Sequence, residues 1–119
     1  MSDQFTSEVH AGGVAEVVLN RPPVNALNAA GWNDLARTIE QLGERADVRV
    51  IVIRAEGRGF CAGQDLNDPD MGSADGGPPD VGSVIDRLYR PLALRIRTMP
   101  VPVIAMVNGV AAGAGANFA

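Results

Sequence analysis

Apolar and polar positions along the chain alternate in some stretches and repeat at three and four in others, the two periods of strands and helices. Phe5 to His10 alternates weakly, Ala11-Gly12-Gly13 reads as a turn, and Val14 to Leu19 reads as a strand. Together they predict a β-hairpin. Asn20-Arg21-Pro22-Pro23 ends the second strand, because proline cannot donate to a ladder. Asn28 is the expected N-cap of a helix running to about Leu42. Trp32, Leu35, Ala36, Ile39 and Leu42 form its apolar face, and Gly43 marks its end. Val48 to Ile53 is a β-branched run expected to be a strand buried on both faces.

Glycine punctuates the next stretch, Glu56 to Gly63, which reads as a turn. Asn67 to Gly82 holds acids, glycines and prolines with almost no apolar side chain, and reads as a long surface loop or lid, its acids solvated. Ser83 can cap a second helix to about Thr98, with Ile85, Leu88, Leu92 and Ile96 on one face and a bend expected at Pro91. Pro100 and Pro102 break it, Val103 to Val107 predicts another buried strand, and Asn108-Gly109 opens a second glycine-rich turn. A helix then begins near Gly113. The order is α/β, and at residue 119 it reads as cut inside its last helix rather than finished.

Composition narrows the chemistry. All 10 basic residues are arginine, so Schiff-base lysine chemistry and the Walker-A phosphate lysine are both excluded. Fourteen acidic residues give a net charge of −4 with no basic cluster, which argues against nucleic acid or an anionic membrane as partner. One cysteine and one histidine exclude an internal disulfide, a multi-thiolate metal site and a His-rich zinc site, so no metal is expected. The N-terminal residues show no secretory pattern, and no apolar run approaches the roughly 18 residues of a membrane span. A cytoplasmic protein is the expectation.

Two segments could carry function, Gly57 to Asp65 and Asn108 to Asn117. Each places glycines after a strand, where a helix begins and backbone N–H groups are unpaired. Either they are plain turns, or they aim two N–H donors at one oxygen, as in an oxyanion hole. Gly113-Ala114-Gly115 is followed three positions later by Phe118 rather than glycine, so the dinucleotide fingerprint fails. Asp65 is a candidate general base or, alternatively, the cap of the turn that follows it. His10 reads as a strand-edge residue and Cys61 as a small buried hydrophobe.

Four stretches, in order and in register, resemble the enoyl-CoA hydratase/isomerase (crotonase) superfamily. They are Leu19-Asn20-Arg21-Pro22, Asn25-Ala26-Leu27-Asn28, Gly59 to Leu66, and Pro102 to Gly115. The Arg58 to Asn67 stretch, with its Cys-Ala-Gly-Gln-Asp-Leu-Asn and the Asp68 that follows, and the Val110 to Ala116 run are most similar to the branch that isomerises ring-1,2-epoxyphenylacetyl-CoA to oxepin-CoA. The resemblance covers residues 1–119 as the N-terminal part of one crotonase-like domain. It implies a ββα superhelix, an acyl-CoA thioester as partner, coenzyme A as part of the substrate with no separate cofactor, and a trimer or hexamer at full length.

The resemblance also implies roles. The backbone N–H groups of Gln64 and Ala114 would hold the thioester oxygen, with the helix after Gly113 adding its dipole. Ala26, Ala62, Asp65, Leu66, Val110, Gly113 and Asn117 would line the substrate and coenzyme A groove, Asp65 and Leu66 at the adenine end. In hydratases the position of Asn117 holds a glutamate; an amide cannot abstract a proton, which favours an isomerase whose acid/base carboxylate lies beyond residue 119. The alternatives are an enoyl-CoA hydratase and a non-catalytic fragment that binds coenzyme A or associates with full-length subunits.

Overall fold

Strands β1 (Phe5–Val9) and β2 (Val14–Leu19) pair antiparallel in the expected hairpin, closed by His10 N–H donating to Val14 O at 2.8 Å. A computed structural model describes residues 3–68 and 81–119. Helix α1 (Ala29–Glu44) carries the chain from β2 to β3 (Val50–Ala55), the crossover that a parallel pair requires. Asn28 caps α1 as expected, its Oδ1 accepting from Gly31 N–H at 2.9 Å. Strand β5 (Val103–Ala105) adds parallel to β3, giving the order β1-β2-β3-β5. Trp32, Leu35, Ile39 and Leu42 of α1 are buried in one core with Ala15, Val17, Leu19, Ile51 and Ile53 of the sheet.

Strand β3 departs from the expected run in position and burial. Val48 is buried in the turn after α1, its N–H donating to Arg45 O, so the ladder begins only at Val50. The strand then alternates: Ile51, Ile53 and Ala55 are buried, while Arg54 faces outward and pairs with Glu16 at 3.4 Å and Glu56 at 2.8 Å. One face meets the core, not two.

Strand β5 is also shorter and less buried than its apolar sequence predicts. It is the last strand of its sheet, and Ile104, Met106 and Val107 are each about half exposed (51, 54 and 51 %). Among the described residues no strand pairs with its outer edge.

The second helical stretch starts at Val81, two residues before the expected cap. It runs as α2 (Val81–Val84), a π-helical segment (Ile85–Tyr89) and α3 (Arg90–Thr98). Pro91 follows the π segment inside one unbroken helical run, and the wide π turn just before it accommodates a residue that cannot donate. Most of the expected surface loop, residues 69–80, lies outside the described residues.

Within the first glycine turn lies a strand that periodicity does not predict. It is β4 (Gly59–Cys61), which pairs parallel with β6 (Val110–Ala111) in a separate small sheet. Helix α4 (Ala114–Phe118) follows. Phe118 stacks on Phe60 with centroids 5.9 Å apart. Trp32 meets Phe118 and Tyr89 edge-on at 5.9 and 5.8 Å, which ties α1, α4 and the π segment to the core.

Candidate functional site

The two glycine turns are far apart in sequence and adjacent in space. Asn25 anchors the first from below. It is buried with φ of 59°, its Oδ1 accepts from Arg21 N–H at 2.8 Å, and its Nδ2 donates to Glu56 O at 3.0 Å and Gly59 O at 3.1 Å. Asparagine tolerates this left-handed backbone better than other side chains. Asn108 plays the matching part from the other side, its Nδ2 donating to Gly57 O at 2.9 Å.

Beyond β4 the chain runs along residues 24–27. Ala62 N–H donates to Val24 O, Leu27 N–H to Gly63 O and Asp65 N–H to Leu27 O, each at 2.9–3.0 Å. This pattern skips Gln64. Its backbone N–H donates to no carbonyl among the described residues, and its buried side-chain Nε2 has no partner among them either.

Gly63 has φ of 98°, and a Cβ placed on it would lie 3.0 Å from Ala112 O and 3.2 Å from Ala114 N. Only glycine fits both the backbone conformation and the space. On the other side, Gly115 lies so close to Cys61 that a Cβ would collide with the Cys61 carbonyl, while Ala112 N–H donates to Cys61 O at 3.1 Å. Gly113, with φ of 55°, turns the chain into α4 and leaves Ala114 at the first helical position. The Ala114 N–H also donates to no carbonyl among the described residues. Two unpaired donors, those of Gln64 and Ala114, thus flank the Gly63 contact.

A pocket of about 370 Å³ opens beside this turn, lined by Arg21, Pro22, Pro23, Val24, Ala26, Asp65 and Asn67. Arg21 Nη1 reaches Asp65 Oδ2 at 3.0 Å and Ala26 O at 2.8 Å, and Asn67 N–H donates to Asp65 Oδ1 at 2.9 Å. The Asn67 N–H foremost, and Arg21 after it, hold the Asp65 carboxyl below the usual carboxylate range. Both oxygens are engaged and the group stays ionised, so Asp65 caps the turn and is a poor proton acceptor. Cys61 is fully buried, and burial pushes its thiol pKa up, as suits a packing residue. His10 is exposed at the end of the hairpin strand.

The remaining candidates fall in three places. Ala62 is half-buried, held by its bond to Val24. Leu66 and Val110 are 87 and 73 % exposed and line neither this pocket nor the next. Asn117 lines a second pocket, of about 190 Å³, between α3 and α4, together with Tyr89 and Arg97. Sequence reasoning singled out neither Arg21 nor Arg97 among ten arginines, because only the fold puts them at pockets. Asn25 lies inside one of the four family-like stretches, yet its left-handed backbone carries no sequence signal of its own.

Residues 9–119 match the family described as enoyl-CoA hydratase/isomerase. The chain is 44% identical over 108 residues to the 1,2-epoxyphenylacetyl-CoA isomerase of Escherichia coli, covering 90% of this chain and 41% of that one. It is 36% identical over 113 residues to the (7aS)-7a-methyl-1,5-dioxo-2,3,5,6,7,7a-hexahydro-1H-indene-carboxyl-CoA hydrolase of Rhodococcus jostii, covering 93% and 42%. The crystal structure of an enoyl-CoA hydratase from Mycobacterium smegmatis superimposes with a TM-score of 0.83 at 32% identity, over 98% of this chain and 44% of that chain. The chain therefore spans about two fifths of the length of the relatives it matches.

Proposed function

The chain belongs to the enoyl-CoA hydratase/isomerase family, and from that premise we propose that it forms the thioester-binding part of an acyl-CoA isomerase. The Gln64 and Ala114 N–H groups are the pair of donors to the thioester carbonyl oxygen. As an enolate forms, that oxygen gains charge, and donors already aimed at it stabilise the charge without reorganising. The observation that carries this reading is the contact of Gly63 with Ala114, which brings two unpaired N–H groups to one spot. Coenzyme A enters as part of the substrate along the groove of Arg21, Ala26 and Asp65. Arg21 is the arginine placed to meet its phosphates.

The isomerase reading draws support from the E. coli relative and from Asn117, whose amide cannot take up a proton. The reaction is conversion of ring-1,2-epoxyphenylacetyl-CoA to oxepin-CoA, or a double-bond shift in an enoyl-CoA. The acid/base carboxylate comes from outside these 119 residues. Hydration of an enoyl-CoA is the second reading, favoured by the fold shared with the M. smegmatis hydratase.

Acetoacetyl-CoA tests the donor pair, because its enolate absorbs in the ultraviolet. The chain binds it with growth of the enolate band, and absence of binding overturns the thioester reading. A chimaera that adds the remaining part of the E. coli isomerase separates the two reactions. Slow hydration of crotonyl-CoA beside isomerase turnover is the expected result; fast hydration overturns the isomerase reading.

A further inference from the structure

Strands β4 and β6 run side by side, and the Gln64 and Ala114 donors follow from their far ends. The ladder between them fixes its own register weakly. It pairs only Gly59 with Val110 and Cys61 with Ala111, with an irregularity between the two pairs. A pair this short can slip, and a slip of one residue would carry Gly63 away from Ala114.

Two side-chain amides converge on the start of this ladder. Gly59 O accepts from Asn25 Nδ2 at 3.1 Å and from Asn108 Nδ2 at 3.4 Å. Each amide also grips the turn just before Gly59, Asn25 through Glu56 O at 3.0 Å and Asn108 through Gly57 O at 2.9 Å. The two come from separate segments. Asn25 precedes α1, in the stretch whose Val24 O and Leu27 O accept from Ala62 and Asp65 on either side of the Gln64 turn. Asn108 lies two residues before β6, so its backbone leads one strand while its side chain holds the other. Gly109 permits that approach, because a Cβ there would collide with the Arg58 carbonyl.

We infer that Asn25 and Asn108 are positioning residues: by sharing the Gly59 carbonyl they set the register of β4 against β6, and with it the spacing of the Gln64 and Ala114 donors. This role rests on the thioester reading above. Neither asparagine lines the groove assigned to coenzyme A. An enolate oxygen gains over a neutral carbonyl only where both donors meet it, so a register error lowers enolate stabilisation more than thioester affinity.

The chain is saturated with acetoacetyl-CoA and titrated with base, and the enolate band gives the enolate fraction of the bound thioester. Asn108 is exposed, so Asn108→Ala leaves the core in place. It lowers the enolate fraction at a fixed pH about tenfold, while affinity for hexanoyl-CoA, which does not ionise there, stays within about threefold. Asn25→Asp keeps the acceptor for Arg21 N–H and tolerates positive φ but loses the donor, and it gives the same signature. Because both amides hold one carbonyl, the double variant loses less than the product of the two single losses. Leu35→Ala, a core substitution, leaves the enolate fraction unchanged and so separates positioning from general loss of stability. An unchanged enolate fraction in Asn108→Ala, an equal loss in Leu35→Ala, or losses that simply multiply in the double variant overturn the shared clamp and leave the thioester reading intact. Failure of the unaltered chain to bind acetoacetyl-CoA overturns both.

Discussion

In the four-stranded sheet Leu19, Ile51 and Ile53 meet Leu35 and Ile39 of α1, and all five side chains are essentially out of contact with water. In the β4–β6 pair the closest contacts are backbone to backbone: Gly63 on Ala112 and Ala114, Gly115 on Cys61, and Gly109 on Arg58. The first region is held by apolar area, and the second adds close backbone approach to its buried Phe60–Phe118 stack. An apolar core tolerates a change of shape at a graded cost. A glycine contact tolerates no added atom, and beside it the Gln64 and Ala114 N–H groups donate to no carbonyl among the described residues. The proposed thioester donors therefore sit in the second region, while most of the apolar core lies in the first.

That separation can be broken by substitution. Leu35→Ala empties a fully buried site in the first region and is expected to cost about 3 kcal/mol in urea unfolding. Its effect on acetoacetyl-CoA affinity at low temperature is small; a large loss of affinity would mean that the two regions are coupled. Gly63→Ala has the opposite signature. Its Cβ meets the Ala112 carbonyl on a backbone of positive φ, costing about 1–3 kcal/mol of stability, and thioester binding is lost well before the fold. Asn25→Ala removes the acceptor for Arg21 N–H and the donor to two carbonyls beneath the turn. It should cost about 1–3 kcal/mol and weaken thioester binding along with stability.

Asp65 gives the smallest effect and sharpens the comparison through pH. Its folded pKa is depressed by the Asn67 N–H and by Arg21, below the unfolded value of about 3.9. Its contribution is therefore complete above that value and is lost as pH falls through the folded pKa. Asp65→Asn should remove part of the acid sensitivity while leaving stability near neutral pH little changed, because the pair is exposed to solvent screening. An unaltered acid-unfolding profile would show that the Arg21–Asp65 pair does not hold the groove.

The hairpin, α1 and its Asn28 cap were legible because each is decided locally. Sixteen helical residues repeat their apolar positions often enough for the face to be read, and a cap acts within one turn. Strand β4 was not legible. It is three residues long, shorter than any period can reveal, and it exists because residues 110–111 lie beside it. The exposed side of β5 departs from its apolar sequence for a related reason. Ile104, Met106 and Val107 are apolar, but burial depends on what lies against them, not on the side chains alone.

The hairpin, α1 and the strand that follows it, the absence of lysine chemistry and the four family motifs were determined by the sequence alone, since each is a property of residue types and spacing. Tertiary structure decided which donors stay unpaired, which arginines stand at pockets and where Asn25 must turn left-handed. Those facts depend on contacts between segments some 50 residues apart, such as Gly63 and Ala114, whose free energy no local window contains.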